Sequence, residues 1–186
     1  LRNSSRWISP KTTKKTTMSE KKRLPLAGAR RKAREFALLG VYESLINKEA
    51  DFAEIDAGLL SVITDEDGPV AGCDLTPEDF EACDKAFCRE ILAGVMADRA
   101  KIDGILSHHV DRELDRLSVI ERACLTMGTW ELMHCPQVPY RVVINEAVEL
   151  AKQFGSDKGY RLVNGVLDKT AAEVRPDEVK AEKAGK

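Results

Sequence analysis

The chain has 186 residues, of which 43% are apolar and 32% charged, with a formal net charge of −2. That length suits one domain of ordinary size with a highly charged surface. Runs of Val, Ile, Thr and aromatic residues at strand spacing are missing, which argues against a β-rich fold and predicts an all-α one.

Residues 1–28 are rich in Lys, Thr, Ser and Arg without apolar periodicity, and they read as a disordered basic N-terminal arm. The arm has positive charge but no apolar h-region, so it does not read as a secretory signal. The chain opens on Leu1, and Met18 stands just before Ser19-Glu20-Lys21-Lys22, so the first 17 residues read as an unconventional start or a consequence of start-site choice. Twelve of the 29 Lys and Arg residues lie within residues 1–34 beside one acid, Glu20. The first 34 residues therefore carry +11 and the rest of the chain −13. A basic arm on an acidic body points to an anionic partner for the arm and a basic partner for the body.

A first helix is expected from about Ala29 to Lys48, with Ala33, Phe36, Ala37, Gly40, Val41 and Leu45 on one face. Arg30, Arg31, Lys32 and Arg34 crowd its first turns, where cations oppose the helix dipole. Binding to an anion would offset that local cost. Tyr42, further along, offers a ring for stacking, although by itself it reads more simply as core or boundary. A second helix follows over 51–63, then a loop over 64–75 with Gly68, Pro69 and Gly72 that is long for a compact bundle. Thr76-Pro77-Glu78-Asp79 is a helix start. The third helix runs on through Phe80, Cys83, Phe87, Ile91 and Val95 to a break near Asp98. A fourth carries Ile102, Ile105, Leu106, Val110 and Leu114. Ser118 and Glu121 form a capping-box pattern for a fifth, which runs to about His134 with Ala123, Met127, Trp130 and Met133 inward.

Two further helical patterns occupy 139–169 and are split by Gly155. The first has Val142, Val143, Ala147, Leu150, Ala151 and Phe154 at spacings of three and four; the second has Tyr160, Val163, Val166, Leu167 and Thr170. Ser156 is placed to cap the second helix, presenting Asp157, Lys158 and Arg161 at its first turn, a setting that suits phosphate. Residues 29–175 then form one helical domain, and 176–186 read as a charged flexible tail. The total is about seven helices.

No catalytic constellation, cofactor motif or metal site is apparent. His108 and His109 are adjacent on a helix and diverge, His134 is isolated, and Glu146 and Glu149 lack the histidine that a di-metal bundle places three residues on. Those two carboxylates read as Arg-paired or solvated. The five cysteines (Cys73, Cys83, Cys88, Cys124 and Cys135) are odd in number and without a CxxC pair, which favours free thiols in a reducing cytosol over disulfides or zinc. No apolar run approaches the roughly 20 residues of a membrane span, so no membrane association is expected. A basic arm, helix-start donors and scattered rings suit single-stranded RNA. Double-stranded DNA is less favoured, since no recognition-helix pattern is apparent.

The stretch VPYRVVINEAVELAKQFGSDKGYRLVNGVLDK, residues 138–169, resembles the C-terminal signature of the NusB family of bacterial transcription antitermination factors. ARRKAREFALLGVYE, from Ala29, resembles that family's arginine-rich first helix, with Arg30, Arg31, Arg34, Glu35 and Tyr42 in place. The segment FCREILAGV in the middle is also similar, and the resemblance spans residues 29–174. It implies a NusB-like bundle of about seven helices in two subdomains, acting in the bacterial cytoplasm without catalysis or cofactor. It further implies single-stranded boxA RNA as ligand and NusE, a small-subunit ribosomal protein, as heterodimer partner. The pair would join an RNA polymerase antitermination complex with other Nus factors, for processive transcription of rRNA operons.

Carried over by position, the RNA side comprises Arg30, Arg31, Lys32, Arg34, Tyr42, Phe154, Asp157, Lys158, Tyr160 and Arg161. The NusE side comprises Asp115 and Glu121. Two positions depart from the family pattern. Lys158 stands where well-known relatives have an acid, which strengthens phosphate contact and loosens dependence on NusE. Leu162 stands where a Phe supplies a ring, so stacking has shifted to Tyr160 or been lost. One alternative is a self-associating homodimer with a masked RNA face. Another is a relative of the N-terminal domain of RNA cytosine methyltransferases, although no cofactor-binding α/β domain follows here.

Overall fold

The computed structural model describes residues 24–64 and 74–185. The arm expected before residue 24 and most of the 64–75 loop lie outside the described residues. Among those described, the structure is helical throughout, with nine α-helices and one 3-10 turn. The N-terminal half comprises α1 (Leu26–Ile46), α2 (Phe52–Thr64), α3 (Pro77–Ala82) and α4 (Lys85–Ala97). The C-terminal half comprises α5 (Arg99–Ser107), the 3-10 turn Leu114–Arg116, α6 (Val119–His134), α7 (Tyr140–Phe154), α8 (Gly159–Val174) and α9 (Pro176–Ala184).

In the first half α1 packs on α4 and α2, while Phe36 meets Phe80 of α3 edge-on with ring centroids 4.9 Å apart. The start of α3 is the capping box its sequence announces: the Thr76 hydroxyl accepts from the Asp79 N–H, and the Asp79 carboxylate accepts from the Thr76 N–H. The single helix expected from Thr76 to Asp98 is two helices. Asp84 breaks it by accepting the Phe87 N–H as a new N-cap, while its own N–H donates to the Ala29 carbonyl of α1.

The second half is built around α6, which packs on α7 and α8 and also on α1, α4 and α5. Every residue from Ala123 to Leu132 is buried, so this helix has no outward face, unlike the one-sided pattern read from its sequence. Gly94 of α4 admits Trp130 of α6 so closely that a Cβ there would overlap the indole ring. That contact joins the two halves.

Helix formation also extends beyond the expected limits at both ends. Leu26–Gly28, expected to be disordered, are already in α1. Residues 176–184, expected as a flexible tail, form α9. Its start has Pro176 in the first turn with Asp177 and Glu178, the arrangement a helix N-terminus favours. Val179 is buried, and the Glu178 carboxylate accepts from the Tyr140 N–H at 2.8 Å. Arg175, between α8 and α9, donates to the carbonyls of Glu131, Leu132, Cys135 and Val138 at 2.7–2.9 Å. One guanidinium thus satisfies the Leu132 carbonyl, which Pro136 cannot bond, and adds a second donor to the carbonyls of Glu131 and Cys135.

Candidate nucleic-acid interface

The four cations at the start of α1 point in different directions. Arg34 is buried and forms a two-pronged pair with Glu131 of α6 at 2.7 and 2.8 Å, its side chain only 6% exposed. Burial alone would lower its pKa, but the hydrogen-bonded Glu131 carboxylate outweighs that and raises it. Arg34 is therefore held inside the fold by Glu131, with little of its side chain open to solvent. Arg30 lies 3.6 Å from Asp84, and its guanidinium and that of Arg34 both approach the Phe87 ring, at 4.9 and 5.0 Å. Lys32 pairs with Glu35 at 2.9 Å and approaches Asp79 at 3.9 Å.

Arg31 alone turns towards α7. Its Nε and Nη2 donate to the two oxygens of Glu146 at 3.2 and 2.8 Å, while its side chain stays 56% exposed. Hydrogen bonding and charge from Glu146 raise the Arg31 pKa. Each of the four cations has an internal carboxylate, so the fold itself offsets the unfavourable charge at this helix start. Tyr42 lies about three turns after Arg31 on the same side of α1 and is half-buried.

The α7–α8 corner is arranged differently. Gly155 ends α7, but α8 begins only at Gly159, so Ser156 does not cap it. The Ser156 hydroxyl instead donates to Glu121 Oε1 at 3.3 Å. Gly159 lies close against the same carboxylate, and a Cβ there would push the Glu121 side chain aside. Asp157 and Lys158 protrude in the turn and form no ion pair among the described residues. Phe154 and Leu162 are partly buried against the core.

Tyr160 is half-buried, with Lys152 Nζ 5.5 Å and the Arg161 guanidinium 5.9 Å from its ring centroid. Arg161 Nε donates to the phenol oxygen at 3.4 Å and holds the Tyr160 pKa below its usual value. These three residues, with Val148 and Asn164, line a surface hollow of about 260 Å³. Lys152, Val148 and Asn164 are additions to the sequence reading. They join Tyr160 and Arg161 only because α7 and α8 pack together, which no local motif signals.

Of the two acidic residues assigned to a protein partner, Glu121 lies at this corner. Glu121 is half-buried beneath the Ser156–Gly159 turn, so the two expected faces meet at one place. Its side chain does not complete the capping box with Ser118, whose hydroxyl still accepts the Glu121 N–H at 3.2 Å. Asp115 is exposed and pairs with Arg122, which also reaches Asp103 at 3.2 Å. Elsewhere, His108 and His109 meet Glu173, and His134 meets Asp98 while lying beside the Trp130 ring. Among the described residues no helix is long and apolar enough to cross a membrane.

Comparison with known proteins gives the same picture over most of the chain. A NusB family model matches residues 31–172. A transcription antitermination protein NusB from Burkholderia cenocepacia (strain HI2424) is 43% identical over 157 residues, covering 84% of this chain and 97% of that relative. Among solved structures, NusB of T. maritima superposes with a TM-score of 0.61 at 25% identity, over 85% of this chain and 99% of that one. Antitermination factors NusB and NusE solved in complex with dsRNA give a TM-score of 0.60 at 22% identity, over 77% and 96%, which supports the shared fold. From the cation-bearing start of α1 to the α7–α8 corner, the chain belongs to the NusB family of transcription antitermination factors.

Proposed function

We propose that this factor binds single-stranded boxA-type RNA along the surface running from Arg31 to the α7–α8 corner, with a NusE ribosomal protein as heterodimer partner. In this reading the pair enters an RNA polymerase antitermination complex with other Nus factors and promotes processive transcription of rRNA operons. The observation that carries it is the Tyr160 hollow, where one aromatic face sits between Lys152 and Arg161 beside the exposed Lys158. A ring between two cations can stack on an unpaired base while the cations meet the flanking phosphates. Arg31, Lys32 and Arg30 extend the positive surface at the start of α1, Tyr42 lies further along that helix, and Asp157 lines the turn. Phe154 supports the corner from beneath.

The acidic groups Asp115 and Glu121 offer a basic partner a landing place adjoining this surface. Contact between Glu121 and the Ser156–Gly159 turn means that a partner seated there would also steady the turn carrying Lys158. RNA binding measured by fluorescence anisotropy, with and without NusE, tests both faces together. Labelled boxA-type single strand is expected to bind more tightly than an unrelated strand of equal length or a duplex, and NusE is expected to strengthen it. A preference for duplex, or no response to NusE, would overturn the corresponding part of the reading.

A further inference from the structure

The side of α7 next to Arg31 carries two carboxylates one turn apart. Glu146 holds both the Nε and Nη2 donors of Arg31, and Glu149 holds Lys152 Nζ at 2.7 Å. Charge from Glu149 also acts on Arg31. Arg31 and Lys152 are the cations nearest this stripe in the proposed RNA surface. Each meets its carboxylate through the same donors that a phosphate would use. An arginine held on two oxygens is in the geometry that suits phosphate equally well. The Glu146 side chain is 13% exposed and that of Arg31 56%, so the carboxylate is seated in the fold while the guanidinium remains open to solvent.

We infer that Glu146 and Glu149 act as internal stand-ins for phosphate, occupying Arg31 and Lys152 in the free protein so that RNA must displace them. This inference rests on the reading of the surface as an RNA face. The carboxylates lower affinity for every single strand alike, because phosphate contacts carry no base information. A weak general attraction leaves discrimination to contacts with base edges, such as Asn164 in the Tyr160 hollow could make, so the protein is less readily held by unrelated transcripts.

The test compares the full chain with Glu146→Gln, Glu146→Asp, the double variant Glu146→Gln with Glu149→Gln, and Glu146→Gln combined with Arg31→Gln. Probes are a boxA-type oligonucleotide and oligouridylate of the same length, at low and high salt. The double variant is expected to bind both probes roughly three- to tenfold more tightly at low salt, the gain shrinking as salt screens it. Glu146→Asp, which keeps the charge, should bind as the parent does. Without Arg31 the gain from Glu146→Gln should fall by more than half. Thermal melting shows whether α1 and α7 stay joined in each variant. Unchanged or weaker binding by a folded Glu146→Gln protein overturns the inference, as does a gain of the same size without Arg31. A parent protein that binds neither probe overturns the RNA reading itself.

Discussion

The start of α1 and the α7–α8 corner both carry clustered basic residues, and the fold treats them in opposite ways. At the start of α1, Arg30, Arg31, Lys32 and Arg34 meet Asp84, Glu146, Glu35 and Glu131, carboxylates supplied by α1 itself and by more distant parts of the chain. At the corner, Lys158 protrudes from a turn and Arg161 leans on a tyrosine. A cation that the fold pairs with a carboxylate reaches a ligand only by exchanging that partner, as Arg31 and Lys152 would have to, whereas one without an ion pair among the described residues, such as Lys158, is open from the start. The denser cluster is mainly scaffold, and the sparser one is better placed to receive RNA.

The largest expected effect lies on the scaffold side. Arg34→Ala leaves Glu131 buried without its partner, and loss of about 3–5 kcal/mol in a denaturant titration is expected. Arg34→Ala that keeps full stability but loses RNA would place Arg34 at the interface and break the comparison. On the corner side, Lys158→Glu with Arg161→Glu should weaken RNA binding by roughly 10-fold or more and flatten its salt dependence, with the melting temperature little changed. Tyr160→Ala should weaken binding by about 1–3 kcal/mol, while Tyr160→Phe retains the stacking face and most of the affinity.

The smallest effect reads the two regions through thiols. Burial pushes the Cys83 thiol up to about 11 and the Cys88 thiol up to about 12, both in the half that Arg34 helps to close. A thiol reagent at pH 8 should therefore modify them slowly in the parent protein, since the thiolate is the reactive form. Modification should be faster in Arg34→Ala and unchanged in Lys158→Glu.

Much of the fold was legible because its signals are local. The Thr76 start, the periods of α7 and α8 and the helical end at Gly155 need only neighbouring residues, and all appear where the pattern puts them. The Ser156 cap failed because the chain turns over 156–158 and α8 starts only at Gly159; the Ser156 hydroxyl donates instead to Glu121, 35 residues earlier. The role of Arg34 depends on a partner 97 residues away and that of Arg31 on one 115 residues away. No period or cap can announce such pairs. The helix α9 was hidden by its charge, since Val179 is its one buried apolar side chain. For the candidate site, the sequence marked Lys158 and Arg161 through a helix start suited to phosphate, and Tyr160 through the family resemblance. Lys152 entered only when two helices were laid side by side.

Arg175 bears on the order in which the chain can be completed during synthesis. The Cys135 carbonyl to which it donates lies 40 residues earlier in the chain. At about 5–20 residues per second, the end of α6 waits roughly 2–8 seconds after its own synthesis for that guanidinium to be made. Until then the Leu132 carbonyl, which Pro136 cannot bond, is left to water, and the end of α6 lacks the clamp that fixes it to α8 and α9. A ribosome stalled before codon 175 should therefore carry a nascent chain whose first half is complete and whose end of α6 is not yet clamped.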